Sequence, residues 1–238
     1  MIKFYEDEHK YIDQTEQTWQ GVTTWLKQFE PVKDWDKIAE KKAKKLKVSK
    51  QQILDEWQKE NELAIIQGNM FHKERQIAVT GLESQNNLKI HVSNFGEDDK
   101  VYKFTNDFKL VPGIYCEHLV GLNSKKLCGQ PDYFEITTDW VLNLYDYKTV
   151  KEIKIDGHLN WDGTEEKLLQ PFGSLPNTNY WKYALQINTY AYMIKRNNPK
   201  ITLGKLAILH AIFKDGVHVE TKTLEVPDLQ HLIKNALK

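Results

Sequence analysis

The stretch GQPDYFEITTDWVLNLYDYKT, residues 129–149, sets two runs rich in aromatic and aliphatic residues on either side of the polar triplet Thr137, Thr138, Asp139. Two such runs around a short polar turn predict a β-hairpin. Side chains two residues apart share one face of a strand, so Asp146 and Lys148 point the same way. Folding about residue 139 sets Asp132 opposite Asp146, and directly opposed Cβ atoms in an antiparallel pair lie roughly 4.5–5.5 Å apart. The turn GLNSKK (121–126) extends the construction one strand back. Folding near 123–125 brings Glu117, in IYCEHLVG, opposite Asp132. The expected result is a three-strand meander with Glu117, Asp132 and Asp146 in one row. A slip of one residue in either turn would turn a side chain to the other face.

Carboxylates placed side by side repel, and such neighbours either share protons or hold a cation. An oxygen-rich cluster suits a hard divalent ion such as Mg²⁺ or Mn²⁺, which keeps several waters and needs few protein ligands. A lysine beside that ion orients an attacking water or neutralises a phosphate. The reaction class implied is metal-assisted displacement at phosphorus. The competing reading of the same residues is a half-solvated sheet edge whose charges happen to align.

Two helical motifs bear on the choice. GNMFH puts Gly68 and His72 at i and i+4 on one face of a long helix expected over about 50–80. Glycine inside a helix costs about 1 kcal/mol relative to alanine. Close approach of the helix to a sheet or a ligand at Gly68 would offset that, and His72 would point into the same space. QINTY places Gln186 and Tyr190 at i and i+4 on an amphipathic helix expected over 180–196. Both side chains can hydrogen-bond to phosphate or to site residues.

The remainder of the chain frames these motifs. Residues 1–12 read as a short hairpin, with a turn at Asp7 and Glu8. VTTWLKQFE (22–30) reads as a short helix entered at a threonine cap, residues 34–47 as a basic helix, and Ser49 with Gln52 as a capping box for the long helix that follows. Apolar Ile53, Leu54, Trp57, Leu63, Ile66, Met70 and Ile77 recur along it at helical spacing. Short β-rich runs then follow: KIHVSNF, VYKFTNDFKLV, IYCEHLVG, LCGQPDYFEI and WVLNLYDYKTV. Residues 151–178, with three glycines and two prolines, read as a long loop of the kind that carries function. ITLGKLAILHAIF and HVETKTLEV read as two more strands, and DLQHLIKNALK as a closing helix. The expected architecture is one α/β domain over 1–238: an N-terminal hairpin and helices (1–48), a core (49–200), and C-terminal strands with a helix (201–238).

Composition narrows the function classes. Lys plus Arg and Asp plus Glu both number 33, so net charge points to no partner. The run KKAKKLKVSK (41–50) is locally basic, either a solvated helix face or a phosphate-attracting patch. No apolar run approaches the ~20 residues that span a bilayer, so no membrane partner is expected. No signal or transit segment is read at the N-terminus, and a cytoplasmic location is expected. Two cysteines, Cys116 and Cys128, make no disulfide framework and no four-cysteine cluster site. No GxxxxGK[ST] loop is present, so any helicase activity would reside in a separate chain.

Taken in order, GxxxH (68–72), Glu117, GxPD (129–132), DYK (146–148) and QxxxY (186–190) resemble the RecB-type branch of the PD-(D/E)XK nuclease superfamily. The resemblance spans roughly residues 65–195. The N-terminal hairpin with GVTTWLKQFEP is similar to phage-encoded members and to the mitochondrial genome-maintenance exonuclease branch, although Gly21 stands where a serine often precedes the Val-Thr pair.

The resemblance implies a restriction-endonuclease-like core, a mixed central sheet flanked by helices. It implies Mg²⁺- or Mn²⁺-dependent cleavage of DNA phosphodiesters, most often as an exonuclease on single strands or ends. A bacterial or phage-infected cell is the expected setting, and a recombination or replication protein a possible partner. By carry-over, His72, Asp132 and Asp146 are metal ligands with the Tyr147 carbonyl as a fourth. Lys148 is the catalytic lysine, and Glu117 a further acid at or behind the metal. Gln186 and Tyr190 support the site or touch the substrate strand, and Gly68 admits close approach. Members with an iron–sulfur cluster carry four cysteines around the core, so no cluster is expected here. A structure-specific or restriction-type endonuclease and a non-catalytic nucleic-acid-binding module are the alternatives. In the exonuclease reading, 151–178 is a lid over the strand and Trp161 is a base-stacking residue, whereas Trp181 is read as core.

Overall fold

The computed structural model describes residues 1–5, 8–82, 84–92, 101–159 and 163–238. Within them the chain is a mixed α/β structure with two mixed sheets flanked by helices. The end of the expected strand KIHVSNF, part of the N-terminal turn and Trp161 lie outside the described residues.

An antiparallel hairpin, β1 (Ile2–Tyr5) and β2 (Lys10–Asp13), opens the chain. A third strand, β3 (Thr18–Gly21), follows where sequence reading placed none. Asp13 holds that turn. It accepts from Thr15 N, Thr15 Oγ1, Gln17 N, Trp19 Nε1 and Lys126 Nζ, and these partners draw its carboxyl far below the usual range.

Helix α1 (Val22–Lys27) starts at Gly21 with no side-chain cap, which corrects the expected threonine cap. Helix α2 (Trp35–Leu46) is capped by Asp34, which accepts from Lys37 N, and it stops at Lys47 in the left-handed region. Helix α3 (Lys50–Thr80) carries the expected Ser49–Gln52 capping box. Its expected apolar face is corrected. Leu63, Ile66, Met70 and Ile77 are more than half exposed, and only Ile53 and Phe71 are buried. The helix packs through two separate patches rather than one continuous stripe. Its N-terminal part meets Ala39 and Ala43 of α2, while Phe71 meets Tyr147 and Phe213.

The sheet strands are β4 (Ser84–Gln85), β5 (Leu88–Val92), β6 (Val101–Phe104), β7 (Gly113–Cys116), β8 (Val120–Leu122), β9 (Leu127–Gly129), β10 (Tyr133–Ile136), β11 (Val141–Lys148), β12 (Thr202–Lys214) and β13 (Val217–Glu225). One sheet runs β6-β1-β2-β3-β9-β8 and the other β13-β12-β11-β10-β7-β5-β4. Three expected strands are shorter or broken. VYKFTNDFKLV is a strand only at 101–104; beyond it, irregular backbone buries Phe108 and Leu110. IYCEHLVG and LCGQPDYFEI each divide in two, because their hairpin bends from one sheet into the other at Glu117–Leu119 and Gln130–Asp132.

The described residues of 149–178 form no helix or strand, only the isolated bridges Leu159–Glu165 and Lys167–Pro176. Leu168, Phe172 and Leu175 are nevertheless buried in the main core, so this end of the segment is anchored rather than a free lid. Helix α4 (Asn179–Asn197), capped by Thr178, then crosses the sheet and returns the chain into β12, which pairs parallel to β11. Such a parallel connection needs a crossover, and α4 supplies it. Its inner face, with Ala184, Leu185, Ile187, Ala191 and Ile194, packs on Phe134, Ile136, Leu142, Leu144, Leu206 and Ile208. Trp181 packs partly buried against this core, as expected. Helix α5 (Gln230–Ala236) closes it. Cys116 and Cys128 are free and buried, and burial pushes the Cys116 thiol up to about 12.

Candidate metal centre

The register of two hairpins builds the acidic row. Tyr133 pairs with Tyr145 across β10 and β11, and with Cys116 across β10 and β7. One step further along, Asp132 therefore stands opposite Asp146 on one side and Glu117 on the other. The Glu117 amide donates to the Asp132 carbonyl at 3.2 Å, closing the row at the bend. The expected order Glu117, Asp132, Asp146 is the order found.

The side chains do not act as three equivalents. His72, from α3, reaches the row with Nδ1 3.3 Å from Asp132 Oδ1 and 3.8 Å from Glu117 Oε1. His72, Glu117 and Asp132 each offer an atom within 4.8 Å of the others, all partly buried. Asp146 is not one of this trio. Its side chain is 1% exposed, and its Oδ2 stands 2.5 Å from Lys148 Nζ. That contact pairs the buried carboxylate with the lysine ammonium. Lys148 Nζ also sits 4.8 Å over the ring of Tyr183 on α4.

Backbone and glycine contacts fix these positions. The Tyr147 amide donates to Asp132 Oδ2 at 2.5 Å, and its ring packs edge-on to Phe71 and His72. Gly68 lies where α3 passes the end of β11: a Cβ there would come 3.2 Å from Thr149 Oγ1. The close approach expected at Gly68 is thus to the sheet. Gly129 answers to Tyr190, whose ring would meet an added Cβ at 2.7 Å. Tyr190 is buried and accepts from Gln186 Nε2 at 3.2 Å. The pair therefore braces the GQPD turn from behind.

The electrostatics follow from this crowding. Burial disfavours charge on His72, but Asp132 and Glu117 outweigh it and lift the imidazole to about 10. Burial raises Asp132, yet His72, Lys148 and the Tyr147 amide bring it below the usual carboxylate range. Burial raises Glu117 to about 7 and Asp146 to about 6, with Asp132 adding to both and the nearby cations opposing. Burial opposes charge on Lys148, but Asp146 and Asp132 hold it charged and above its ordinary value.

Three residues join the site that sequence reading did not single out. Tyr11 donates to Gln130 Oε1 at 3.1 Å, and Gln130 Nε2 donates to the Glu117 carbonyl at 3.2 Å. This relay steadies Glu117 at its left-handed φ of 48°, a conformation that side-chain-bearing residues seldom adopt. Gln130 fills the unspecified place of GxPD, and nothing in that motif marks it. Tyr183 was readable, since it lies three residues before Gln186 on the same helix face.

One imidazole nitrogen and two carboxylates facing a common point form a donor set fit for a divalent ion. A larger depression of about 340 Å³, lined by Asn123, Lys125, Tyr192 and Arg196 among others, lies apart from this chemistry at the other end of α4. No family model matches the chain, and no curated protein matches it. Among the described residues, no helix is long and apolar enough to cross a membrane.

Proposed function

We propose that the chain is a metal-dependent deoxyribonuclease of the PD-(D/E)XK type, hydrolysing phosphodiester bonds at DNA ends or in single strands. The observation that carries this reading is the Glu117–Asp132–Asp146 row, with His72 on one side and Lys148 paired to its last acid. A row of carboxylates needs cations to persist, and this row recruits one imidazole and one lysine from separate elements.

His72, Glu117 and Asp132 would hold the ion, with Asp146 and the Tyr147 carbonyl alongside. A bound Mg²⁺ or Mn²⁺ supplies a polarised phosphoryl oxygen and a more acidic water. The single imidazole favours Mn²⁺ over Mg²⁺, since nitrogen ligands bind the transition ion better. Lys148 is held charged by Asp146, so it serves as a donor to the phosphate or the attacking water rather than as a base. In the overall reaction water adds at phosphorus, the P–O bond to the leaving oxygen breaks, and that oxygen takes up a proton. Tyr183 shields the lysine from one side, and the Gln186–Tyr190 pair holds the acidic turn in place.

End-labelled linear DNA and a circular control, incubated with Mg²⁺, Mn²⁺ or EDTA, test the reading. Digestion of the linear DNA alone, lost in Lys148→Ala, is the expected outcome. Cutting of the circle would transfer the chain to the endonucleases. Absence of cleavage by a folded, metal-loaded protein would refute the proposal.

A further inference from the structure

The basic run in the sequence becomes a segregated ridge in the structure. Ala39 and Ala43 of α2 are buried against α3. At 100° per residue, Lys37, Lys41, Lys44 and Lys45 project from the opposite side, and all four are exposed. The acids of α2, Asp36 and Glu40, lie on its flank; Asp36 pairs with Lys50 and Glu40 with Lys44. The cap residue Asp34 pairs with Lys37. These exposed pairs contribute little and are readily exchanged for phosphate. Among the described residues Lys41 and Lys45 have no acidic partner.

The placement of the ridge is equally specific. Leu54 and Trp57 pack against α2. Leu54 and His72 are five turns of α3 apart, so α2 and the metal centre lie on the same side of that helix. Between them residues 58–66 are exposed on all sides, so α3 bridges an open gap about 13 Å long. Measured along α3 from His72, α2 stands about 22 to 33 Å away. At the roughly 3.4 Å rise per base pair of B-DNA this is about seven to ten base pairs. Lys37, Lys41 and Lys45 follow at four-residue steps, about 6 Å, close to every second phosphate of one duplex strand.

We infer that α2 is a remote phosphate-backbone contact, holding duplex DNA roughly seven to ten base pairs from the metal centre. This rests on the reading of that centre as a nuclease site for its geometry, but the contact is a binding event and is measured without cleavage. The ridge adds affinity without sequence preference, and only for strands long enough to cross the gap. Cation–phosphate contacts act through counterion release, so the signature is salt dependence.

The test is fluorescence anisotropy in EDTA with a labelled 6-base-pair hairpin and a labelled 30-base-pair duplex, comparing the natural protein with Lys41→Ala/Lys44→Ala/Lys45→Ala at several salt concentrations. The expected result is a loss of roughly tenfold or more on the 30-mer. Its log–log salt slope falls by about 3, while binding of the 6-base-pair probe is unchanged. Equal affinity and slope for both proteins on the 30-mer would overturn the inference. Equal losses on both lengths would overturn the remote placement. Equally tight, lysine-dependent binding of polyglutamate would assign the ridge to an acidic protein partner instead. A failed cleavage assay leaves this result standing, so the two proposals fail separately.

Discussion

His72 Nδ1 lies 3.3 Å from Asp132 Oδ1, joining a helix to the end of a strand through one charged pair. In the metal-free protein this pair keeps the imidazole protonated up to about pH 10. A divalent ion needs the neutral ring, so ion and proton compete for one nitrogen.

Metal affinity should therefore rise with pH between about 6 and 10. Calorimetry with Mn²⁺ in buffers of different ionisation enthalpy should register proton release at pH 7.5, reduced by about one proton in His72→Ala. Identical release by the two proteins would remove His72 from the ligands.

The same pair sets a stability trend in EDTA. The folded value of His72 is raised from 6.5 to about 10. Its contribution is fully present below pH 6.5 and is lost as pH rises through about 10. Glu117 and Asp146 are also raised, to about 7 and about 6, so their contributions are lost in the same direction but at lower pH. Melting temperature in EDTA should fall from pH 6 to pH 10, and His72→Ala should flatten the upper part of that fall. A rise over the same range would contradict the arrangement.

Lys148→Ala should lower cleavage by about 10²–10⁴-fold, the range for loss of one positioned proton-handling group. It also strands Asp146, whose side chain is 1% exposed. Breaking a buried ion pair from one side costs about 3–5 kcal/mol. The cost should be large at pH 8 and much smaller at pH 5, where Asp146 takes up a proton. Urea titrations at the two pH values measure it, and a pH-independent cost would mean that the pair is not the cause.

Gly129→Ala tests the brace behind the acidic turn. Its Cβ would stand 2.7 Å from the Tyr190 ring, and overpacking of this kind costs about 1–3 kcal/mol. Adding Tyr190→Leu should recover part of the loss, as coupled neighbours do. Strictly additive losses in the double variant would place the strain elsewhere.

Asp13 offers a control remote from the metal centre. Its folded value is depressed by Thr15, Trp19 and Lys126, so its contribution is present above about pH 4 and lost as pH falls towards the folded value. Asp13→Ala should lower the urea midpoint at pH 7, and the gap to the natural protein should narrow at pH 3. A gap that stays constant would show that the ionised carboxylate is not what holds the turn.

The acidic row was legible because it depends on local register. Turn position and strand alternation determine which residues oppose each other, and both are written in 113–148. The capping box at Ser49 and Gln52 is local in the same way. The exposed side of α3 was misread because periodicity shows that a helix has an apolar stripe, not whether anything covers it. Residues 63, 66, 70 and 77 keep that spacing and face solvent.

Residue spacing alone prescribes the strand order around the row, the pairing of Glu117, Asp132 and Asp146, and the charge pattern of α2. These follow from spacing along a chain whose backbone geometry has only a few periods. Which groups share a site depends instead on how the elements pack. His72 meets Glu117 and Asp132 because α3 passes closely over β11 at Gly68, and Asp146 turns to Lys148 instead. The bend at Glu117, its support by Tyr11 through Gln130, and the gap between α2 and the metal centre are likewise products of packing between distant elements. Contacts of that kind depend on how whole elements dock, which no local pattern encodes.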